Sequence, residues 1–261
     1  MFRRILFIQF LLTVAAAQFD WVDDGVPVRQ GVHIEWQRSG DVSPNGDMIF
    51  SWSDTRNGIR DVFAQKVNSE GEKLWGSDGI AVVTSDGRQE DPILIADGEG
   101  GAFIIWADYK DEPDTEGDVY AQHVSSEGNL LWGVTGVALT NKSGQQTSLN
   151  MCKDGEGGVF VIWKDYQPSS YGHIYGTHIS ADGSIINQGE GIPIVAYDSY
   201  KGYASLEFSG TGSAVLVWQD ERYGNGNGVW DEGEPYSDDN GNGVWDEGEW
   251  FEELNGVDLF S

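Results

Sequence analysis

Two patterns of apolar and polar positions recur along the chain. The first is a short run that is apolar on both faces and closes on Trp-x-Asp: Gly101-Ala102-Phe103-Ile104-Ile105-Trp106-Ala107-Asp108, Val159-Phe160-Val161-Ile162-Trp163-Lys164-Asp165 and Ala214-Val215-Leu216-Val217-Trp218-Gln219-Asp220, with an earlier copy ending in Trp52-Ser53-Asp54. A strand buried on both faces needs sheets packed on either side of it. The second pattern follows about a dozen residues later as an alternating segment: Asp61-Val62-Phe63-Ala64-Gln65, Asp118-Val119-Tyr120-Ala121-Gln122 and His173-Ile174-Tyr175-Gly176-Thr177. In the fourth copy this partner is delayed to Asp258-Leu259-Phe260-Ser261.

The tryptophans at 52, 106, 163 and 218 are 54, 57 and 55 residues apart. A second marker, Leu-Trp-Gly followed by Gly and an apolar triplet, keeps the same step. It appears at Leu74-Trp75-Gly76, at Leu131-Trp132-Gly133 and, degraded, at Ile186-Asn187-Gln188, with Asp20-Trp21-Val22 ahead of them. Each unit reads as four strands. In the second unit these are 92–96, 102–106, 118–124 and a broken fourth made of 130–132 and 137–139. Glycine-rich turns such as Asp97-Gly98-Glu99-Gly100 and Asp154-Gly155-Glu156-Gly157 separate them. Four strands in about 55 residues fall in the range of propeller repeats. The expected fold is therefore all-β: a β-propeller of four-stranded blades, with about four repeats forming part of a larger ring. A β-solenoid is the competing architecture, but its repeats are usually shorter. The head starts at the fourth strand of a unit and the tail stops in a third strand, so either the head closes the last blade of a ring of four or the chain is a truncated reading frame of a larger propeller; the second is the expectation, because four blades is the lower limit for such rings.

One segment does not fit the repeat. Residues 220–254 hold twelve acids against one base, Arg222, and contain Asn-Gly-Asn-Gly-Val-Trp-Asp-Glu-Gly-Glu twice, at 225–234 and 240–249. The second copy fits the twelve-residue calcium loop of the EF-hand. Asp238, Asn240 and Asn242 stand at positions one, three and five, and Gly243 makes the sharp turn at six. Val244 offers its carbonyl at seven, Asp246 stands at nine, and Glu249 at twelve can bind through both oxygens. The first copy is weaker because Tyr223 takes position one; Asn225, Asn227, Val229, Asp231 and Glu234 remain. Ca²⁺ is the expected cofactor. A period of 15 with Pro235 between the copies leaves no room for helices, so the insert, 221–254, is expected as an irregular excursion on one rim of the propeller. It resembles thrombospondin type 3 repeats and departs from dockerins, whose loops each carry a helix.

Composition narrows the class. A net charge of −28 over 261 residues repels phosphate backbones, which argues against nucleic acid as a partner. Arg3 and Arg4, an apolar run from Ile5 to Val14 and Ala15-Ala16-Ala17 form a signal peptide over 1–17, leaving 18–261 as repeats. The apolar run is too short to span a bilayer, and no other segment reads as a transmembrane helix, so a secreted or cell-surface location is expected. The single cysteine, Cys152, excludes an intrachain disulfide and reads as a small buried hydrophobe.

The Trp-x-Asp, Asp-(Ile/Val)-(Tyr/Phe)-Ala-Gln and Leu-Trp-Gly repeats together resemble those of exported bacterial surface proteins. The likeness covers nearly all of residues 20–261. Such proteins often carry a C-terminal sorting domain for type IX-like secretion, and none is seen here. The four histidines, His33, His123, His173 and His178, show no metal or triad spacing. Asp54, Asp108, Asp165 and Asp220 recur once per unit, which points to capping of adjacent loop N–H groups, because a catalytic acid is normally placed once. The expected function is a non-catalytic repeat protein that mediates protein or glycan contacts and binds calcium structurally. The alternative is a glycan-active enzyme, sialidase- or lyase-like, on a propeller scaffold.

Overall fold

The computed structural model describes residues 27–28, 35–110, 116–198, 200–210, 212–220 and 257–258. Within these the protein is all-β, and its sheets are antiparallel meanders in chain order. The first sheet is β1 (Glu35–Val42), β2 (Met48–Asp54), β3 (Asp61–Val67) and β4 (Ile80–Val83). The second is β5 (Gln89–Ala96), β6 (Ala102–Asp108), β7 (Asp118–Val124) and β8 (Val137–Ala138). The third is β9 (Gln146–Lys153), β10 (Val159–Asp165), β11 (His173–Ile179) and β12 (Ile192–Val195). The fourth has three described strands, β13 (Lys201–Gly210), β14 (Ser213–Asp220) and β15 (Val257–Asp258).

The doubly apolar strands are explained by stacking. Alternate residues of a strand point to opposite faces. In β6, Ala102, Ile104 and Trp106 pack with Ile49, Val62 and Ala64 of the first sheet, while Phe103 and Ile105 pack with Met151, Val161 and Trp163 of the third. In β10, Phe160 and Ile162 turn the other way, onto Leu206, Leu216 and Trp218 of the fourth. Every residue of β6 and β10 is buried. Each fully buried Ile, Val or Leu contributes about 1.5–3 kcal/mol, so this sandwiching supplies much of the driving force for the stack. Cys152 lies in the same core between the third and fourth sheets, and burial pushes its thiol up to about 12, which keeps it protonated at neutral pH.

Neighbouring sheets meet chiefly at their first two strands, β1 on β5, β5 on β9 and β9 on β13, as propeller blades do. The repeated motifs hold this fan together. Gln65 and Gln122 are wholly buried, and each satisfies both ends of its amide. Gln65 Nε2 donates to Gly76 O at 2.8 Å and its Oε1 accepts from Trp75 N at 2.9 Å. Gln122 repeats this with Gly133 O at 2.6 Å and Trp132 N at 2.9 Å. The glutamine of one motif thus anchors the Leu-Trp-Gly of the next. Those tryptophans in turn reach the following sheet. Trp75 Nε1 donates to Ser126 O at 3.1 Å, and its ring lies where a β-carbon on Gly128 would come within 2.9 Å. Trp132 covers Gly183 in the same way, at 2.7 Å. Both glycines also have positive φ, 86° and 83°, so a side chain at either is excluded twice over.

Candidate functional site

The first strand of each of the first three sheets is bent at the same place. The ladder between β1 and β2 slips between Trp36 and Arg38, and that between β5 and β6 slips between Glu90 and Ile93. The β9–β10 ladder slips opposite Trp163. In each case the bulge lies across from the tryptophan of Trp-x-Asp. The residue at the bend has left-handed backbone: Gln37 at φ 41°, Asp91 at 53° and Ser148 at 54°. Of the described residues, one other non-glycine, Asn187, shares that region. A left-handed non-glycine residue costs about 1–3 kcal/mol and persists only where its surroundings hold it. Asp91 is the most constrained of the three, because the following Pro92 steers it toward extended conformations.

The three bends converge on one cleft of about 290 Å³, lined by Gln37, Arg38, Asp91, Pro92, Ile93, Ser148 and Leu149. Asp91 is its single carboxylate among the described lining residues. Its side chain is reachable by solvent, but partial desolvation by the surrounding protein raises its pKa. The charge of Glu90 pushes the same way, and Arg60 opposes it. Glu90 itself is nearly buried and engaged elsewhere, ion-paired with Arg60 and with Arg88 at 3.2 Å. A carboxyl more easily protonated than usual, in a cleft also lined by Gln37, Arg38 and Ser148, can move a proton while polar neighbours hold a hydroxylated ligand.

The residues singled out by repetition do other work. Asp54 Oδ1 accepts from Arg56 N at 2.9 Å, Asp108 Oδ1 from Lys110 N at 3.0 Å and Asp165 Oδ1 from Gln167 N at 2.9 Å. These carboxylates cap the loop that follows each second strand. Because i and i+2 share a face, the first two aspartates also receive the indole N–H of the motif, Trp52 to Asp54 at 2.8 Å and Trp106 to Asp108 at 3.2 Å, whereas the indole N–H of Trp163 finds no partner in Asp165. Burial raises the Asp54 carboxyl, but hydrogen bonds from Arg56 and Trp52 outweigh it and hold the pKa below the usual value.

His123 and His178 belong to the opposite end of the sheets. His123 Nε2 meets Asp97 Oδ2 at 2.9 Å, and His178 Nε2 meets Asp154 Oδ2 at 2.8 Å. Each aspartate also accepts two turn N–H groups, Glu99 and Gly101 for Asp97, Glu156 and Gly158 for Asp154. His173 lies 3.3 Å from Asp198. His33 lies outside the described residues. So do the calcium-loop residues Asp238, Asn240, Asn242, Val244, Asp246 and Glu249, together with Asn225, Asn227, Val229, Asp231 and Glu234. Among the described residues no helix is long and apolar enough to cross a membrane.

No protein-family description matches the sequence, and no curated protein matches it. Solved structures do. One is an α-L-arabinofuranosidase from Lactobacillus brevis, at 11% identity over 76% of this chain and 70% of that one, with a TM-score of 0.47. Another is an endo-arabinase from Bacteroides thetaiotaomicron, at 18% identity over 70% and 69%, TM-score 0.43. A third is a Penicillium chrysogenum α-L-arabinanase complexed with arabinobiose, at 11% identity over 75% and 63%, TM-score 0.43.

The expectation of a non-catalytic repeat protein, with no catalytic constellation, is corrected at this point. Several solved chains similar to this one are glycosidases, and another is a protein of unknown function from Dyadobacter fermentans. The acids that the repeats make conspicuous lie elsewhere; the cleft's carboxylate, Asp91, sits at a bulge whose equivalents in neighbouring units are Gln37 and Ser148.

Proposed function

We propose that the protein is a glycan-active enzyme on a β-propeller scaffold, with its reaction at the cleft formed by the first strands of three consecutive blades and Asp91 as the acid/base group. One observation carries this: the same strained backbone position is filled by Gln37, Asp91 and Ser148, so a carboxylate has been placed once on a repeated frame. Its raised pKa suits proton transfer to or from a glycosidic oxygen. Gln37, Arg38 and Ser148 offer hydrogen bonds to sugar hydroxyls, and Pro92, Ile93 and Leu149 offer apolar surface for a ring face. Glycoside hydrolysis canonically employs two carboxyl groups. Asp91 supplies one, and Glu90, held by two arginines, does not supply the other.

The test is a panel of neutral and acidic oligosaccharides incubated with purified protein and with Asp91→Asn. Turnover by the wild type that is lost in the variant supports the assignment. Turnover that survives the substitution removes Asp91 from the chemistry, and no turnover of any glycan overturns the enzymatic reading.

We further propose that the insert between β14 and β15 binds calcium, through Asp238, Asn240, Asn242, Val244, Asp246 and Glu249 in one loop and more weakly through the residues of the other, and that residues 1–17 direct export. The support is the spacing of oxygen ligands in the sequence and the charge pattern of the N-terminal segment.

A further inference from the structure

Gln37 occupies in β1 the place that Asp91 occupies in β5, and the two are joined across the gap between sheets. The backbone N–H of Asp91 donates to Gln37 Oε1 at 3.2 Å. The hydroxyl of Ser53, on wholly buried ground in β2, donates to the same oxygen at 2.9 Å. A peptide N–H can only donate, so the side of the amide that faces Asp91 is the oxygen. The carbonyl is held from behind by Ser53 and holds in front the peptide of the one residue whose φ of 53° and following proline both work against its conformation. Two further bonds fix β5 to β1 in the same register: Leu94 N donates to Ser39 Oγ at 3.0 Å, and Ala96 N to Asp41 Oδ2 at 2.9 Å. The corresponding side chains of β5 are Ile93 and Ile95, which cannot accept, so this lacing belongs to the joint that carries Asp91.

We propose that Gln37 is a positioning residue: through the chain Ser53–Gln37–Asp91 it locks the left-handed turn that aims the Asp91 carboxyl into the cleft. The proposal rests on the assignment of Asp91 as the acid/base group. It also accounts for a neutral amide at this place. A carboxylate would accept the same two bonds but would set a second negative charge beside Asp91. The charged groups already facing Asp91 are Glu90, its chain neighbour, and Arg60, which pairs with Glu90. Arg38 lines the same cleft from β1, and β9 contributes the uncharged Ser148.

The experiment compares Gln37→Met and Gln37→Glu with Asp91→Asn. Gln37→Met keeps the length and loses the acceptor, and its kcat should fall about tenfold, with a smaller change in KM. Gln37→Glu keeps the acceptor and adds charge, and should move the Asp91-governed limb of the pH–rate profile to higher pH. Titration of the Asp91 carboxyl by ¹³C NMR reads the same shift without turnover. A purely structural glutamine would lower the melting temperature and leave both the profile and the titration in place, and that result overturns the proposal. Turnover retained by Asp91→Asn sinks the parent assignment, and this inference with it. Turnover lost in Asp91→Asn but untouched in both Gln37 variants sinks this inference alone.

Discussion

The two ends of β5 carry carboxylates in opposite condition. At its start, Asp91 is strained, solitary and harder to ionise than an ordinary aspartate. At its end, Asp97 is also desolvated, but a histidine and two turn N–H groups more than offset that, so its pKa is lowered. Asp154 repeats Asp97 one unit later with the same partners, and its pKa is lowered for the same reasons. The scaffold end is hydrogen-bonded within the protein and copied; the cleft end faces solvent and is singular among the three equivalent positions. Partial desolvation acts on both, so desolvation alone does not set the direction of the shift. What separates them is whether the surroundings were built to accommodate the charge.

The largest expected effect is on the cleft side. Asp91→Asn should reduce turnover by at least about 10²-fold while leaving the melting temperature at neutral pH unchanged or higher. The sign follows from linkage. The folded-state pKa of Asp91 lies above the ordinary 3.8, so the proton is held more tightly in the folded protein. The stability this confers is present below 3.8 and is lost as pH rises through the folded pKa. A neutral asparagine should therefore help most at pH 7 and least near pH 3, and melts at the two pH values check this.

Next comes a residue behind the cleft end. Trp106, wholly buried, lies opposite the Asp91 bulge and donates to Asp108. Trp106→Ala should cost about 3–5 kcal/mol in urea or guanidinium unfolding, and turnover should fall along with stability.

On the scaffold side, Asp97→Ala removes the acceptor for Glu99 N, Gly101 N and His123. It should cost about 1–3 kcal/mol, with turnover per folded molecule unchanged. Here the linkage sign is reversed. With folded pKa values below 3.8, Asp97 and Asp154 contribute stability that is present above 3.8 and lost as pH falls through the folded pKa. The gap between Asp97→Ala and wild type should accordingly close in acid. A gap that widened in acid would undo the contrast between the two ends. The smallest effect on either end is expected from the insert: Glu249→Gln should weaken calcium binding in calorimetry, and unchanged affinity would remove that loop as a calcium site.

Much of this architecture was legible from residue order. The two-sided apolar runs predicted sandwiched second strands, and β6 and β10 are buried throughout. The run from Ala102 to Ala107 is apolar at every position, which a short strand can satisfy only with cover on both faces. The predicted start of the first strand at 92 missed β5's true beginning at Gln89, since the bulge at Asp91 breaks the alternation that marks a strand. The same break set Asp91 outside the strand pattern. A clue was present nonetheless: with the units aligned on tryptophan, position 91 falls level with 37 and 148 and differs in chemistry from both. Repetition correctly marked Asp54, Asp108 and Asp165 as loop caps. The pairing of His123 with Asp97 could not be read from spacing, because it crosses 26 residues and depends on how strand β7 lies against the β5–β6 turn.

The tryptophans that close each unit carry a lesson about growth. Trp75 rests on the turn at Gly128, and Trp132 on that at Gly183, so each unit holds a wedge for its successor and a seat for its predecessor. A gene segment duplicated in whole units of this length would bring its own joints, and the chain could lengthen without inventing a new surface. Asn187 stands where the third wedge would be, and a unit with a seat but no wedge is where such a series can change character.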